Sequence, residues 1–256
     1  MRYVAVSALS HDGLVRDHNE DSLAVGPWTT CATTTLTPQT LVFPIDNSLM
    51  VAVADGLGGH PHGELASTIV VQELSRRATW LTDDASVRSA LHACNSAVYD
   101  AADRDPNRVG MGTTVAGVVL STGNVVIFNV GDSRVYGMAE QGIARLSVDD
   151  SPPLAPGETT TSVVTQTMGG NVTHTTIDPH VATLPSNPAG RYLVCSDGLT
   201  DAISEDAIAS LLGQYHGLEA AVELWRAAMQ AGGPDNISLT VIEVTDDGSD
   251  DDVQRQ

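Results

Sequence analysis

The chain has 256 residues, 42% hydrophobic and 17% charged, an ordinary globular composition long enough to bury a substantial core in one domain. Lys plus Arg number 12 against 32 Asp plus Glu, for a formal net charge of −20, and every fixed cation is Arg. That balance argues against a nucleic-acid partner, whose affinity comes from neutralised phosphates, and the lack of Lys excludes Schiff-base chemistry and a Walker A loop.

Tyr3 to Leu9 alternates like a first strand, with too few cations and too short an apolar run for a signal peptide. A turn at Asp12-Gly13 leads to RDHNED and a short second strand, Ser22 to Gly26. The Thr-rich stretch from Trp28 to Asn47 reads as an irregular hairpin or surface excursion. Met50 to Ala54 is a buried strand that drops into Asp55-Gly56, and a Gly-rich turn passes into a helix over Gly63 to Leu81. Leu65, Ile69, Val70, Leu74 and Ala78 share one face of it. A second helix, about Ser86 to Asp103, carries Val87, Leu91, Cys94, Val98 and Ala101 at helical spacing, and the short polar break between the two favours an antiparallel pair.

After GMGTT come strands at Thr114–Leu120, Asn124–Val130, Arg134–Met138 and Ile143–Ser147, separated by Gly-containing turns that predict a meander. Asp149 to Gly170 is rich in Pro, Gly and Thr and reads as loop. Arg191–Ser196 is a strand, Glu205–Leu212 and Leu218–Met229 are helices, and Ile237–Val244 is the closing strand. Grouped strands and grouped helices predict an α+β layered sandwich in one domain over residues 1–245. Residues 246–256 form an acidic tail expected to be disordered. No apolar segment reaches membrane-spanning length. The odd count of 3 cysteines, in unrelated contexts, points to a reduced, cytoplasmic chain.

The chemistry lies in one repeated design. Asp55 follows an apolar strand, Asp132 follows IFNV, Asp197 follows YLVC, and Asp235 stands before ISLTVIEV. Asp at one strand end is an ordinary turn residue. Recurring beside Gly, Ser or Asn at each of these ends, such carboxylates converge if the strands lie side by side, and converging carboxylates repel unless hard cations sit between them. An all-oxygen donor set suits Mg²⁺ or Mn²⁺.

The segments RDHNED, VADGLGGHPHGE, GMGTT, NVGDSR, CSDGLTD and GPDNIS, in this order, resemble the metal-dependent protein phosphatase 2C (PPM) family, bacterial branch, from about Ser7 to Val244. The resemblance implies a four-layer α-β-β-α sandwich, two antiparallel sheets flanked by antiparallel helix pairs. It implies two Mn²⁺ or Mg²⁺ ions bridged by Asp55, with the Gly56 carbonyl on one, Asp197 and Asp235 completing the other's shell, and Glu20 and Asp21 acting directly or through water. A weaker third ion would use Asp132 with Asp197, and Arg16 would grip the substrate phosphate. The implied activity is hydrolysis of phosphoserine and phosphothreonine in proteins phosphorylated by a Ser/Thr kinase. Two ions about 3.5–4 Å apart share one water and lower its pKa, so no phosphoenzyme is needed. The alternative is a catalytically weak regulatory member that binds a phosphoprotein.

Two departures qualify the resemblance. Leu57 stands where many eukaryotic members carry a His proposed as general acid, and the flap between Asp149 and Gly170 is short. His60 and His62 read as solvated residues at a helix start, Arg134 as a structural partner of nearby carboxylates, and Gly112-Thr113-Thr114 as a packing or turn element.

Overall fold

The computed structural model describes residues 2–35, 37–45, 48–58, 60, 62–139, 142–152, 163–185 and 190–246. Its strands are β1 (Arg2–His11), β2 (Ser22–Val25), β3 (Trp28–Cys31), β4 (Gln39–Pro44), β5 (Leu49–Ala54), β6 (Gly112–Thr113), β7 (Val115–Leu120), β8 (Asn124–Val130), β9 (Arg134–Ala139), β10 (Gly142–Arg145), β11 (Met168–Gly169), β12 (His180–Pro185), β13 (Arg191–Cys195) and β14 (Ile237–Asp246). Its helices are α1 (Gly63–Arg77), α2 (Asp84–Ala102), α3 (Asp197–Thr200), α4 (Glu205–Gln214) and α5 (Gly217–Gln230). Two antiparallel sheets of 6 strands form, ordered β10-β9-β13-β14-β1-β4 and β12-β8-β7-β5-β2-β3.

The layers follow from alternation along each strand. In β5, Met50, Ala52 and Ala54 point to α1 and α2, where they meet Val70, Leu74, Leu91 and Val98. Leu49, Val51 and Val53 point the other way, into the intersheet layer with Val4, Val6, Val118, Val194 and Ile242. On the far side, Leu193, Leu239 and Val241 pack under Ile208, Leu212 and Leu224 of α4 and α5. A strand buried on both faces reads as an unbroken apolar run, which is why YLVC and MVAVA do. The expected four-layer sandwich is the fold observed.

Side-chain caps set the starts of α2 and α4. Asp83 Oδ1 accepts from the Ser86 N–H at 2.8 Å while Ser86 Oγ accepts from the Asp83 N–H at 3.1 Å, so α2 begins ahead of the predicted Ser86. On α1 the buried stripe is Ala66, Val70, Val71 and Leu74. Leu65 and Ile69 are only partly buried, because the α1–α2 seam opens outward and Ile69 and Ala101 line the groove between the helices.

Two expectations are corrected. Among the described residues of the stretch from Trp28 to Asn47 there is no hairpin: β3 pairs with β2 at the edge of one sheet, and β4 pairs with β1 at the edge of the other. The meander also breaks in the middle. β7–β8 and β9–β10 are hairpins in different sheets, and the chain crosses between the sheets at Gly131-Asp132-Ser133, where Gly131 has φ of 101°. A non-Gly residue is strained at that angle, and a three-residue hairpin turn has the same sequence appearance. Strand β12, pairing with β8, had no expectation attached. Residues 153–162, in the middle of the short flap, and the acidic tail from residue 247 lie outside the described residues.

Candidate metal centre

Antiparallel pairing brings the carboxylates together at one end of the sandwich. Ser22 faces Ala54, so Asp21, preceding β2, lies beside Asp55, following β5. Val130 faces Val115, which sets Asp132 next to Thr114, and Cys195 faces Leu239, which sets Asp197 near Asp235. The aspartates therefore come from two facing sheets and not from one row of neighbouring strands, as the strand-end argument supposed.

Each is locked by backbone neighbours. The Asp55 carbonyl accepts from Thr113 Oγ1 at 2.7 Å and from the Thr114 N–H at 2.8 Å, which gives the GMGTT segment its role. Gly56 has no room for a side chain: a Cβ there would stand 2.5 Å from the Gly63 carbonyl carbon and 2.8 Å from the Glu20 carbonyl oxygen. Asp21 is wholly buried, and its Oδ2 accepts from Ser196 Oγ at 2.9 Å.

Burial foremost, then mutual repulsion, raises these carboxyl groups. Asp55 is pushed well above the usual range, with Asp21, Asp197 and Asp132 adding to the effect of burial. Asp132 is pushed up to about 7 by burial and by Asp197. Asp21 is also pushed up to about 7 by burial, against the pull of bonds from Ser238 and Ser196. Asp197 is raised by burial too, with Asp235 adding to it and Asp55 and Arg16 opposing. Two buried oxygens, Asp21 Oδ1 and Asp197 Oδ1, have no hydrogen-bond partner among the described residues. Buried carboxylate oxygens left bare cost free energy unless protonated or met by a cation. An all-oxygen set of this kind fits hard divalent ions, and Asp21, Asp55, Asp132, Asp197 and Asp235, with the Gly56 carbonyl, are the groups that could hold them.

The remaining predicted residues lie around this cluster. Arg16 Nη2 donates to Asp235 Oδ2 at 2.6 Å, and both line a cleft of about 510 Å³ with Asp55, Asp132 and Asp197. Glu20 is different: its carboxylate faces His18, with Nε2 3.6 Å from Oε1, and Glu64. Leu57 lines the cleft and its N–H donates to the Gly112 carbonyl at 3.0 Å. His60 lines the cleft as well, with Nδ1 3.2 Å from the Gly110 carbonyl oxygen, and His62 is exposed. Arg134 pairs with Asp149 at 2.7 Å, the expected structural role.

Sequence reasoning passed over several groups. Asp201, one helical turn past Asp197, is pushed up to about 6 by partial desolvation and by Asp197; its i, i+4 spacing was the available signal. Asp150 accepts from the Gly131 N–H at 2.9 Å, from Gln166 Nε2 at 2.8 Å and, through Oδ1, faces His180 Nε2 at 2.9 Å. It thereby ties the Asp132 crossover to the base of the flap. Asn236 fixes the RDHNED loop, accepting from the Glu20 N–H at 2.8 Å and donating to the Asp12 and His18 carbonyls at 3.0 Å.

Comparison with known proteins agrees with this geometry. A family model described as Protein phosphatase 2C matches residues 41–231. The chain is 29% identical over 259 residues to the serine/threonine protein phosphatase PstP of Mycobacterium tuberculosis, covering 94% of this chain and 45% of that one. It thus spans about half the length of that relative. It is 27% identical over 248 residues to the serine/threonine phosphatase stp of Listeria welshimeri, covering 90% of this chain and 92% of that one. Among solved structures, the catalytic domain of PstP in complex with 2 manganese ions superposes with a TM-score of 0.77 at 27% identity, covering 96% of this chain and 100% of that one. Stp1 from Staphylococcus aureus gives 0.77 at 25% identity, covering 93% and 94%.

Proposed function

Because the chain belongs to the protein phosphatase 2C family, we propose that it hydrolyses phosphoserine and phosphothreonine in proteins, with Mn²⁺ or Mg²⁺ held by its clustered aspartates. The observation that carries this reading is the pair of buried, partnerless oxygens on Asp21 and Asp197 inside a ring of like charges. The two manganese ions of the PstP catalytic domain are the natural counterparts of such a set. Asp55, Gly56, Asp197 and Asp235 would hold two ions, Asp132 with Asp197 a weaker third, and Glu20 or Asp21 would contribute directly or through water. When bound, the ions supply charge neutralisation and the lowered water pKa that hydrolysis of a phosphomonoester needs.

The chain's own residues do the rest. Arg16 is partly exposed at the cleft mouth and pairs with Asp235. A planar guanidinium presents two parallel N–H donors, so it can exchange this carboxylate for a phosphate without losing its ion pair. Leu57 has no ionisable proton to give, so leaving-group protonation falls to water or to another residue. Cys94 and Cys195 are buried with their thiols pushed up to about 12 by burial, and no Cys lines the cleft among the described residues, so a cysteine nucleophile plays no part. Residues 1–245 form the phosphatase domain and residues 246–256 the acidic tail. The free cysteines Cys31, Cys94 and Cys195 fit a cytoplasmic setting, and a phosphoprotein substrate implies a Ser/Thr kinase as the opposing enzyme.

The test is a phosphothreonine-peptide assay across metals. Activity is expected with Mn²⁺ or Mg²⁺ and loss of it in chelator; undiminished turnover in chelator overturns the proposal. In the same assay Arg16→Ala is expected to raise KM by roughly 10-fold or more, about 1.4 kcal/mol, with a smaller change in kcat. An unchanged KM removes the phosphate-gripping role.

A further inference from the structure

On the other side of Arg16 lies a second cleft, of about 370 Å³, into which the chain places His18, His60 and His62 with Asp17, Glu20 and Glu64. We propose that His18, Glu20 and Glu64 form a separate cation site, selective for a divalent ion of the zinc class, beside the all-oxygen centre.

The geometry supports this from three directions. One ligand atom from each of His18, Glu20 and Glu64 lies within 4.8 Å of the other two, and the His18 Nε2 to Glu20 Oε1 distance is 3.6 Å. Zinc bonds about 2.0–2.2 Å long, arranged tetrahedrally, hold neighbouring donors roughly 3.4 Å apart, so the His18–Glu20 pair already stands near that spacing and Glu64, within 4.8 Å of both, would close inward on the ion. The Glu20 backbone is fixed at both ends of its peptide, since its N–H donates to Asn236 Oδ1 at 2.8 Å and its carbonyl accepts from Ser67 Oγ at 2.5 Å. Glu64 sits in the first turn of α1, and His62 Nδ1 lies 3.2 Å from Glu64 Oε1, placed to orient the carboxylate. The residue between them must be small, since a Cβ on Gly63 would come within 3.0 Å of Glu20 Oε1.

Chemistry separates the two sites. An imidazole donor favours zinc, cobalt or nickel over magnesium, whereas a set of carboxylates and a carbonyl favours Mg²⁺ or Mn²⁺. An ion at His18 draws on Glu20, which is also a candidate for the aspartate centre. Zinc therefore withdraws that group from the catalytic ions. This coupling rests on the proposed function; the binding itself does not.

The experiment measures metal uptake directly. The full chain and the Asp55→Asn/Asp197→Asn double variant, each in excess Mg²⁺, are titrated with Zn²⁺ by calorimetry and with Co²⁺ by visible absorption. Both are expected to take one equivalent, with Co²⁺ giving the absorption of an N,O site. His18→Ala and Glu64→Gln are each expected to weaken uptake at least about 10-fold, and His62→Ala by about 10-fold or less. His18 is largely exposed, so its variant reports on binding without threatening the fold. Uptake that is unchanged in His18→Ala, or absent from the double variant, overturns the site. Loss of phosphatase activity in the double variant with zinc uptake retained separates this proposal from the functional one.

Discussion

Asp55→Asn is expected to abolish turnover while making the metal-free protein more stable. Its carboxylate sits against Asp21, Asp197 and Asp132 on the wall of the cleft, partly buried, where desolvation and like charge together raise its pKa well above the usual range. A neutral amide of the same shape removes that repulsion. It also removes the negative oxygen that two cations would share. We expect kcat/KM to fall by at least about three orders of magnitude, roughly 4 kcal/mol of transition-state stabilisation. In chelator at pH 8 the melting temperature should rise above that of the wild type, and added Mn²⁺ should shift it less. Activity within tenfold of wild type would falsify the bridging role, and a lower melting temperature in chelator would show that repulsion at Asp55 does not dominate. Opposite signs in one substitution mark a site built for function at the expense of stability.

The second large effect is in pH. Asp21 and Asp132 move from an ordinary 3.8 in the unfolded chain to about 7 in the folded one. Below 3.8 both states are protonated and the groups contribute nothing to the balance. As pH rises from about 4 to 7 the unfolded chain releases its protons first, so the folded state binds more protons and stability falls. The loss is on the order of a few kcal/mol and is complete just above pH 7. Divalent ions compete for the same oxygens, so their binding releases protons in this window and stabilises most at high pH. Thermal melts in chelator should therefore show a lower melting temperature at pH 8 than at pH 5, and Mn²⁺ should flatten or reverse the slope. The net charge of −20 repels in the same direction, and Asp132→Asn separates the two: a local cause predicts a flatter slope, diffuse repulsion an unchanged one.

Much of the molecule was legible in its residues. The period of 3.6 in α2 and α5, the unbroken apolar runs of β5 and of Tyr192–Cys195 in β13, and the Asp-Gly steps just past their ends are local facts, because burial on one face or on both imposes them residue by residue. The candidate ligands followed, since Asp is costly at the mouth of a buried strand without a cation to meet it.

What the chain order could not supply was which remote segments meet. Trp28 to Asn47 looks like a single excursion, yet its two strands serve opposite sheets. Gly131-Asp132-Ser133 looks like a hairpin turn, yet it crosses the sandwich, and Asp150, reaching back to the Gly131 N–H, holds that crossing in place. Glu20 and Asp21 are neighbours in the sequence, yet one carboxylate faces His18 and Glu64 and the other Ser196 and Asp55. Periodicity records how deeply a residue is buried, because solvent acts on each position separately. The partner of a strand edge or of a carboxylate is chosen by packing among residues far apart in the chain, and that choice exists only once the sheets have closed on each other.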